Sequence, residues 1–223
     1  MRVRYPRPPP PGPVIKIRHE PFKMLTECPV LAHWQGQASS IVLGAGSALS
    51  ALLYSIHSTF GPEHCAGSCK CTCTAASAAS RRGSVTLLHG PAGCGKTLIA
   101  RWLAEKLGLP SHILDHRLLH PRVGGTEASL AAQLRKARAA APCVLVIDEL
   151  QALAPATACP GSTTYRLLIM LAQQLNALCS ESVFVLGLCR QPEHVHPVSG
   201  RAIISCHLSQ PSSPSLPPLL RCR

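Results

Sequence analysis

Gly90, Pro91, Ala92, Gly93, Cys94, Gly95, Lys96 and Thr97 put three glycines, a lysine and a hydroxyl into eight consecutive residues. Before them Ser84–Leu88 is β-branched and apolar enough for a buried strand, and after them Leu98–Ala104 has helically spaced apolar residues. A glycine-rich turn between a strand and a helix start lets successive backbone N–H groups turn inward, where the helix dipole also favours negative charge. This is a cradle for phosphates, and Leu98 directly after it is counted with the nucleotide-binding residues. Lys96 would reach the β- and γ-phosphates, and the Thr97 hydroxyl would sit on Mg²⁺.

A second constellation fits the first. Cys143-Val144-Leu145-Val146-Ile147 is apolar throughout and ends in Asp148-Glu149. So apolar a run suits a central strand of a parallel sheet, buried on both faces. Acids at its C-terminal end stand where open α/β sheets hold their ligands. Asp148 would hold Mg²⁺, and Glu149 would act as general base on an attacking water. Taken alone, two acids could merely solvate a strand end; beside a phosphate loop they complete a site for ATP and Mg²⁺.

The elements that must carry these residues follow from periodicity and turn residues. Strands are predicted at 84–89, 112–115, 143–148, 183–188 and 202–207. Helices are predicted at 96–107, 126–140 and 163–179, with Thr126 as N-cap and Glu127 in the first turn. Such alternation predicts an α/β fold: a three-layer P-loop NTPase core on a five-stranded parallel sheet. Trp102 is expected to pack the first helix onto that sheet, and His89 to pack at a strand end. Cys94, inside the loop, would make nucleotide binding sensitive to thiol reagents.

Outside this core the chain divides by composition. Residues 1–25 read as a basic, proline-rich disordered tail with an unbroken run from Pro8 to Pro11. Residues 26–63 form an ordered segment leading into the core, residues 64–83 a Cys/Ala/Ser-rich linker, 84–207 the ATPase-type core, and 208–223 a low-complexity tail. The apolar stretch 41–60 is interrupted by Ser47, Ser50, Ser55 and His57, so it reads as an amphipathic helix over 48–58 rather than a membrane span. Peripheral association with a membrane stays open. In the cluster of Cys65, Cys69, Cys71 and Cys73 beside His64, the last three alternate too closely to wrap one tetrahedral zinc comfortably, so it reads as an oxidisable loop.

The net charge of +12 suggests a polyanion partner, but its distribution weighs against one. Six basic residues (Arg2, Arg4, Arg7, Lys16, Arg18, Lys23) fall in the first 23 positions against Glu20 alone, so much of the excess belongs to the tail. Aromatic residues make up 4%, too few for base-stacking platforms, which argues against nucleic acid. Twelve cysteines beside a nucleotide motif, with no signal-peptide pattern at the start, point to the cytoplasm rather than to a secreted disulfide framework.

These motifs resemble the AAA group of AAA+ ATPases over about residues 84–200. The 90–97 loop is similar to that group's Gly-Pro-Pro-Gly-x-Gly-Lys-Thr, and 139–155 to its acidic strand end. Gly124-Gly125-Thr126-Glu127 is similar to its Gly-Glu-Ser-Glu element. The resemblance implies the large subdomain of that fold, ATP and Mg²⁺ as cofactors, and other AAA+ subunits in a ring as partners, with a protein substrate or adaptor. It also marks departures. Cys189 falls at the sensor position usually held by asparagine, Arg122 or Val123 replaces a pore aromatic, and Gly200-Arg201 is the remnant of the paired trans arginines. The helical lid is absent from the sequence, as in a fragment of a longer protein. The pattern is most similar to a first, degenerate ATPase domain of peroxisomal biogenesis AAA ATPases, and next to the AFG2-like branch. It implies a weakly hydrolysing ATP-binding module in a hetero-oligomeric ring that remodels or extracts proteins, peripheral on the peroxisomal membrane. The alternatives are a non-hydrolysing ATP-dependent assembly module and a nucleic-acid-directed NTPase.

Overall fold

The computed structural model describes residues 85–115, 125–178 and 181–196 with their side chains. It also describes the backbone of 14–15 and 203–207 and the single positions 37, 48, 49, 52, 55, 56, 59 and 60. The 64–83 linker with its cysteine cluster, the 208–223 tail, Arg122, Val123 and Arg201 lie outside the described residues.

The elements in chain order are β1 (Val14–Ile15), β2 (Val85–His89), α1 (Lys96–Leu107), β3 (Ser111–Leu114), α2 (Gly125–Ala139) and β4 (Cys143–Ile147). Then follow α3 (Leu150–Leu153), α4 (Thr163–Leu178), β5 (Val183–Cys189), a 3₁₀ turn at Pro192–His194, and β6 (Ile203–His207). All pairings in the sheet are parallel, in the order β1-β6-β2-β5-β4-β3. The fold is α/β, with a four-stranded parallel sheet, β2-β5-β4-β3, as the body that carries described side chains. The sheet thus departs from the five strands expected. β6 and the two-residue β1 extend its β2 edge, β1 drawing Val14 and Ile15 of the N-terminal stretch alongside Ile203 and Ile204. The α2 helix opens at Gly125, one residue ahead of the expected Thr126 cap, with Glu127 in the first turn.

Strand alternation splits the core into two apolar layers. On one face Leu88, Val144, Val146, Phe184, Leu186 and Leu188 pack against Ile99, Trp102 and Leu103 of α1. Ala48, Leu49, Leu52, Ile56 and Phe60 join that layer, and these helical positions recur every three or four residues, as an amphipathic face must. On the other face Val85, Leu87, Leu145, Ile147, Val183 and Val185 pack under α2, α3 and α4. Burial on both faces explains why β4 and β5 are apolar end to end. Among the described residues no helix is long and apolar enough to cross a membrane.

One residue sets how closely α3 approaches the sheet. Gly187 of β5 pairs with Leu87 and Ile147 on its two sides, and a Cβ there would meet Leu150 Cδ2 at 2.8 Å and Leu87 Cδ1 at 3.4 Å. Because Leu150 directly follows Glu149, a side chain at 187 would displace the segment that carries the acid. Gly187→Ala is expected to lower stability by about 1 kcal/mol, the lower end for overpacking because the clash is with a terminal methyl. A chemical-denaturation midpoint unchanged from wild type would contradict this packing.

Candidate functional site

The C-terminal ends of the four central strands converge on one edge of the sheet, and Lys96, Asp148 and Glu149 gather at that edge. β2 runs into the glycine loop, β4 into Asp148-Glu149, β5 into Arg190, and β3 into Asp115. Since β5 lies between β2 and β4, its last residues drop between the loop and the two acids. The Gly90 N–H donates to the Cys189 carbonyl at 3.3 Å, tying the loop's start to the end of β5.

Within the loop Gly93 and Gly95 take φ of 76° and 91°, conformations that a Cβ would strain, and Gly95 leads directly into α1. Lys96 Nζ donates to the carbonyls of Gly90 and Pro91, each at 2.7 Å, and lies 3.5 Å from Cys94 Sγ. The ammonium is thereby held over the mouth of the loop. The Thr97 hydroxyl donates to Asp148 Oδ2 at 3.0 Å, joining the two motifs through side chains. Asp148 Oδ1 accepts from the Glu149 N–H at 2.9 Å, and Glu149 itself sits at φ 49°, ψ 49°, a left-handed backbone rare outside glycine. Such a conformation at a strand end beside a cleft is the kind of local strain that functional sites retain.

A cleft of about 310 Å³ opens here, lined by Ala92, Gly93, Lys96, Thr97, Asp148, Glu149 and Cys189 of the anticipated set. Gly90 and Pro91, with Ala92, border an adjoining depression. Leu98 is 52% exposed on the first turn of α1. Cys94, by contrast, turns into the core at 2% exposure and packs with the α1 layer. That corrects the expected thiol sensitivity: a reagent cannot reach a sulfur sealed under the loop. Of the described cysteines only Cys159 is exposed, with Cys94, Cys143 and Cys189 buried. Iodoacetamide on the folded chain is expected to label Cys159 and to reach the other three only after denaturation. A native-state adduct at Cys94, found by peptide mass spectrometry, would falsify this.

Cys189, at the expected sensor position, lines the cleft, and Arg190 stands next to it. Cys189 is 1% exposed, and burial pushes its thiol up to about 12, against a smaller opposing pull from Lys96. It stays a neutral, weak donor. Arg190, one residue on, extends to Glu149, its Nη2 lying 3.4 Å from Oε1. Asp115 and Gln151 also line the cleft and were missed. Asp115 had a signal, an acid directly after the short strand Ser111–Leu114, whereas Gln151 had none. The residues fit a magnesium nucleotide on their own chemistry: a hydroxyl and a carboxylate already in contact, a lysine over the loop, and a second acid alongside.

Fold and site together define a P-loop nucleotide-binding core. Its sequence matches the profile of the ATPase family associated with various cellular activities (AAA) over residues 86–203, and the chain belongs to that family. It is 37% identical over 113 residues to cell division control protein 48 homolog C of Arabidopsis thaliana, covering 50% of this chain and 14% of that protein. It is 36% identical over 121 residues to the peroxisomal ATPase PEX6 of Homo sapiens (52% and 12%), and 35% identical over 121 residues to that of Schizosaccharomyces pombe (51% and 13%). The chain thus spans 12–14% of the length of these relatives.

Proposed function

We propose that the chain is an ATP-binding AAA module that hydrolyses ATP weakly and acts within a hetero-oligomeric ring to remodel or extract proteins. The contact between Thr97 Oγ1 and Asp148 Oδ2 at 3.0 Å carries this reading, because it brings the phosphate loop and the acidic strand end into one cleft. In it Lys96 and the loop amides bind the phosphates, while Thr97 and Asp148 hold Mg²⁺. Glu149 takes the proton of the attacking water. Mg²⁺ held there would supply charge neutralisation for the phosphates.

Relatives named as peroxisomal ATPases support placing this activity in peroxisome biogenesis, in the cytoplasm or on the peroxisomal surface. The pairing of Glu149 with Arg190 favours a second reading, in which nucleotide locks subunit contacts without turnover. Phosphate release measured with and without a co-purified AAA partner separates the two. Turnover that rises with the partner supports the first reading, and ATP-dependent assembly without turnover supports the second.

A further inference from the structure

Glu149 and Arg190 meet across the cleft from two segments whose backbones are both held. On one side the Glu149 N–H is bound to Asp148, and Leu150 is seated against Gly187. On the other, the stretch after Arg190 is stitched to the stretch after α3. The Ala156 N–H donates to the His194 carbonyl at 2.9 Å, the His196 N–H to the Ala154 carbonyl at 2.8 Å, and Pro155 bridges Val195. Both side chains are partly exposed, Arg190 at 62% and Glu149 at 41%.

We propose that Arg190 is a positioning residue that occupies the Glu149 carboxylate until a γ-phosphate draws it away. The inference rests on the nucleotide reading above. A carboxylate acts as base only if it can offer a lone pair to water, and a guanidinium bound to Oε1 competes for that lone pair. The pair is half-exposed and therefore weak, as a latch must be if a ligand is to open it. A terminal phosphate offers more charge and more acceptor oxygens than a carboxylate, in a geometry the guanidinium fork matches. A nucleoside triphosphate thus recruits Arg190 and frees Glu149, whereas a diphosphate, one phosphate shorter, leaves the pair closed. The Oε1 of Gln151, buried beside the same cleft, has no hydrogen-bond donor among the described residues.

The test is calorimetric titration of the full chain, with Mg²⁺, by ATPγS and by ADP. Wild type is compared with Arg190→Gln, Glu149→Gln and the double variant. Arg190→Gln is expected to weaken ATPγS about tenfold more than ADP, the discrimination given by one charge-assisted contact. Glu149→Gln is expected to tighten ATPγS about threefold when Arg190 is present and to have no such effect when it is replaced, since the carboxylate then has no guanidinium to release. Equal losses for the two nucleotides, or a Glu149→Gln effect independent of Arg190, would overturn the proposal while leaving the nucleotide reading intact. A folded wild-type chain that binds neither nucleotide, and does not differ from Lys96→Ala, would overturn both.

Discussion

Lys96→Ala is expected to weaken Mg-ATP binding by about a hundredfold or more. The size follows from what the ammonium does. It is the only cation among the residues singled out in the loop, and it is held at the loop mouth by two 2.7 Å bonds to the Gly90 and Pro91 carbonyls. Charge-assisted hydrogen bonds are worth about 1.5–3 kcal/mol each, so losing those from one lysine to two phosphates costs on the order of 3 kcal/mol. The fold should survive the change. Core packing below the loop is made by Cys94, Ile99 and Leu103, and the alkyl stem of Lys96 is only partly buried. Equilibrium binding of a fluorescent ATP analogue, with circular dichroism on both chains, makes the measurement. A folded variant that binds as tightly as wild type would mean that the loop is a structural turn and not a phosphate site.

Glu149→Gln separates binding from turnover. The amide keeps the side chain's size and its place beside Asp148, but it cannot accept a proton from water. Removing a general base costs about 10²–10⁴ in rate, whereas the groups that hold the phosphates, Lys96, Thr97 and the loop amides, are untouched. Phosphate release should therefore fall to background while ATP affinity is kept, and even tightens if Arg190 is freed. Steady-state phosphate release alongside binding reports both quantities. If release is undiminished, another group takes the proton, and Asp115 across the cleft becomes the candidate to replace next.

Much of this site was legible before any coordinates because the signals are local. The loop, its strand and its helix lie within 24 consecutive residues, Ser84–Leu107, and α1 occupies the predicted 96–107. β4 was legible for the same reason: an apolar run ending in two acids reports its own burial and its own exit point. The amphipathic helix expected over 48–58 was legible from the polar residues interrupting an apolar stretch, and Ala48, Leu49, Leu52 and Ile56 do pack in the α1 layer. Boundaries drifted by a residue where caps are degenerate, as at Gly125.

Other features were hidden for a physical reason. The pattern of β5 is apolar wherever the strand lies in the sheet, so nothing local says that it runs between β2 and β4. That order is set by pairing between residues a hundred apart in sequence, such as Val85 with Val185, and by the packing of α3 on Gly187. The strand count shifted for a related cause. A two-residue strand such as Val14–Ile15 has no periodicity of its own and exists only because the β6 edge offers partners. Cys94 was expected to meet thiol reagents because it lies inside the loop, and only packing turns its sulfur inward.

By itself, then, the sequence determined the chemistry: a lysine and a hydroxyl on a glycine loop, two acids on a buried strand end, and hence a family. Tertiary structure decided the arrangement: which strand end falls between those motifs, that Arg190 reaches Glu149, and that Asp115 and Gln151 share the cleft. Residue types and short spacings encode local hydrogen bonding and burial. The meeting of side chains from distant strands depends on the order in which those strands pair, which no short window of residues contains.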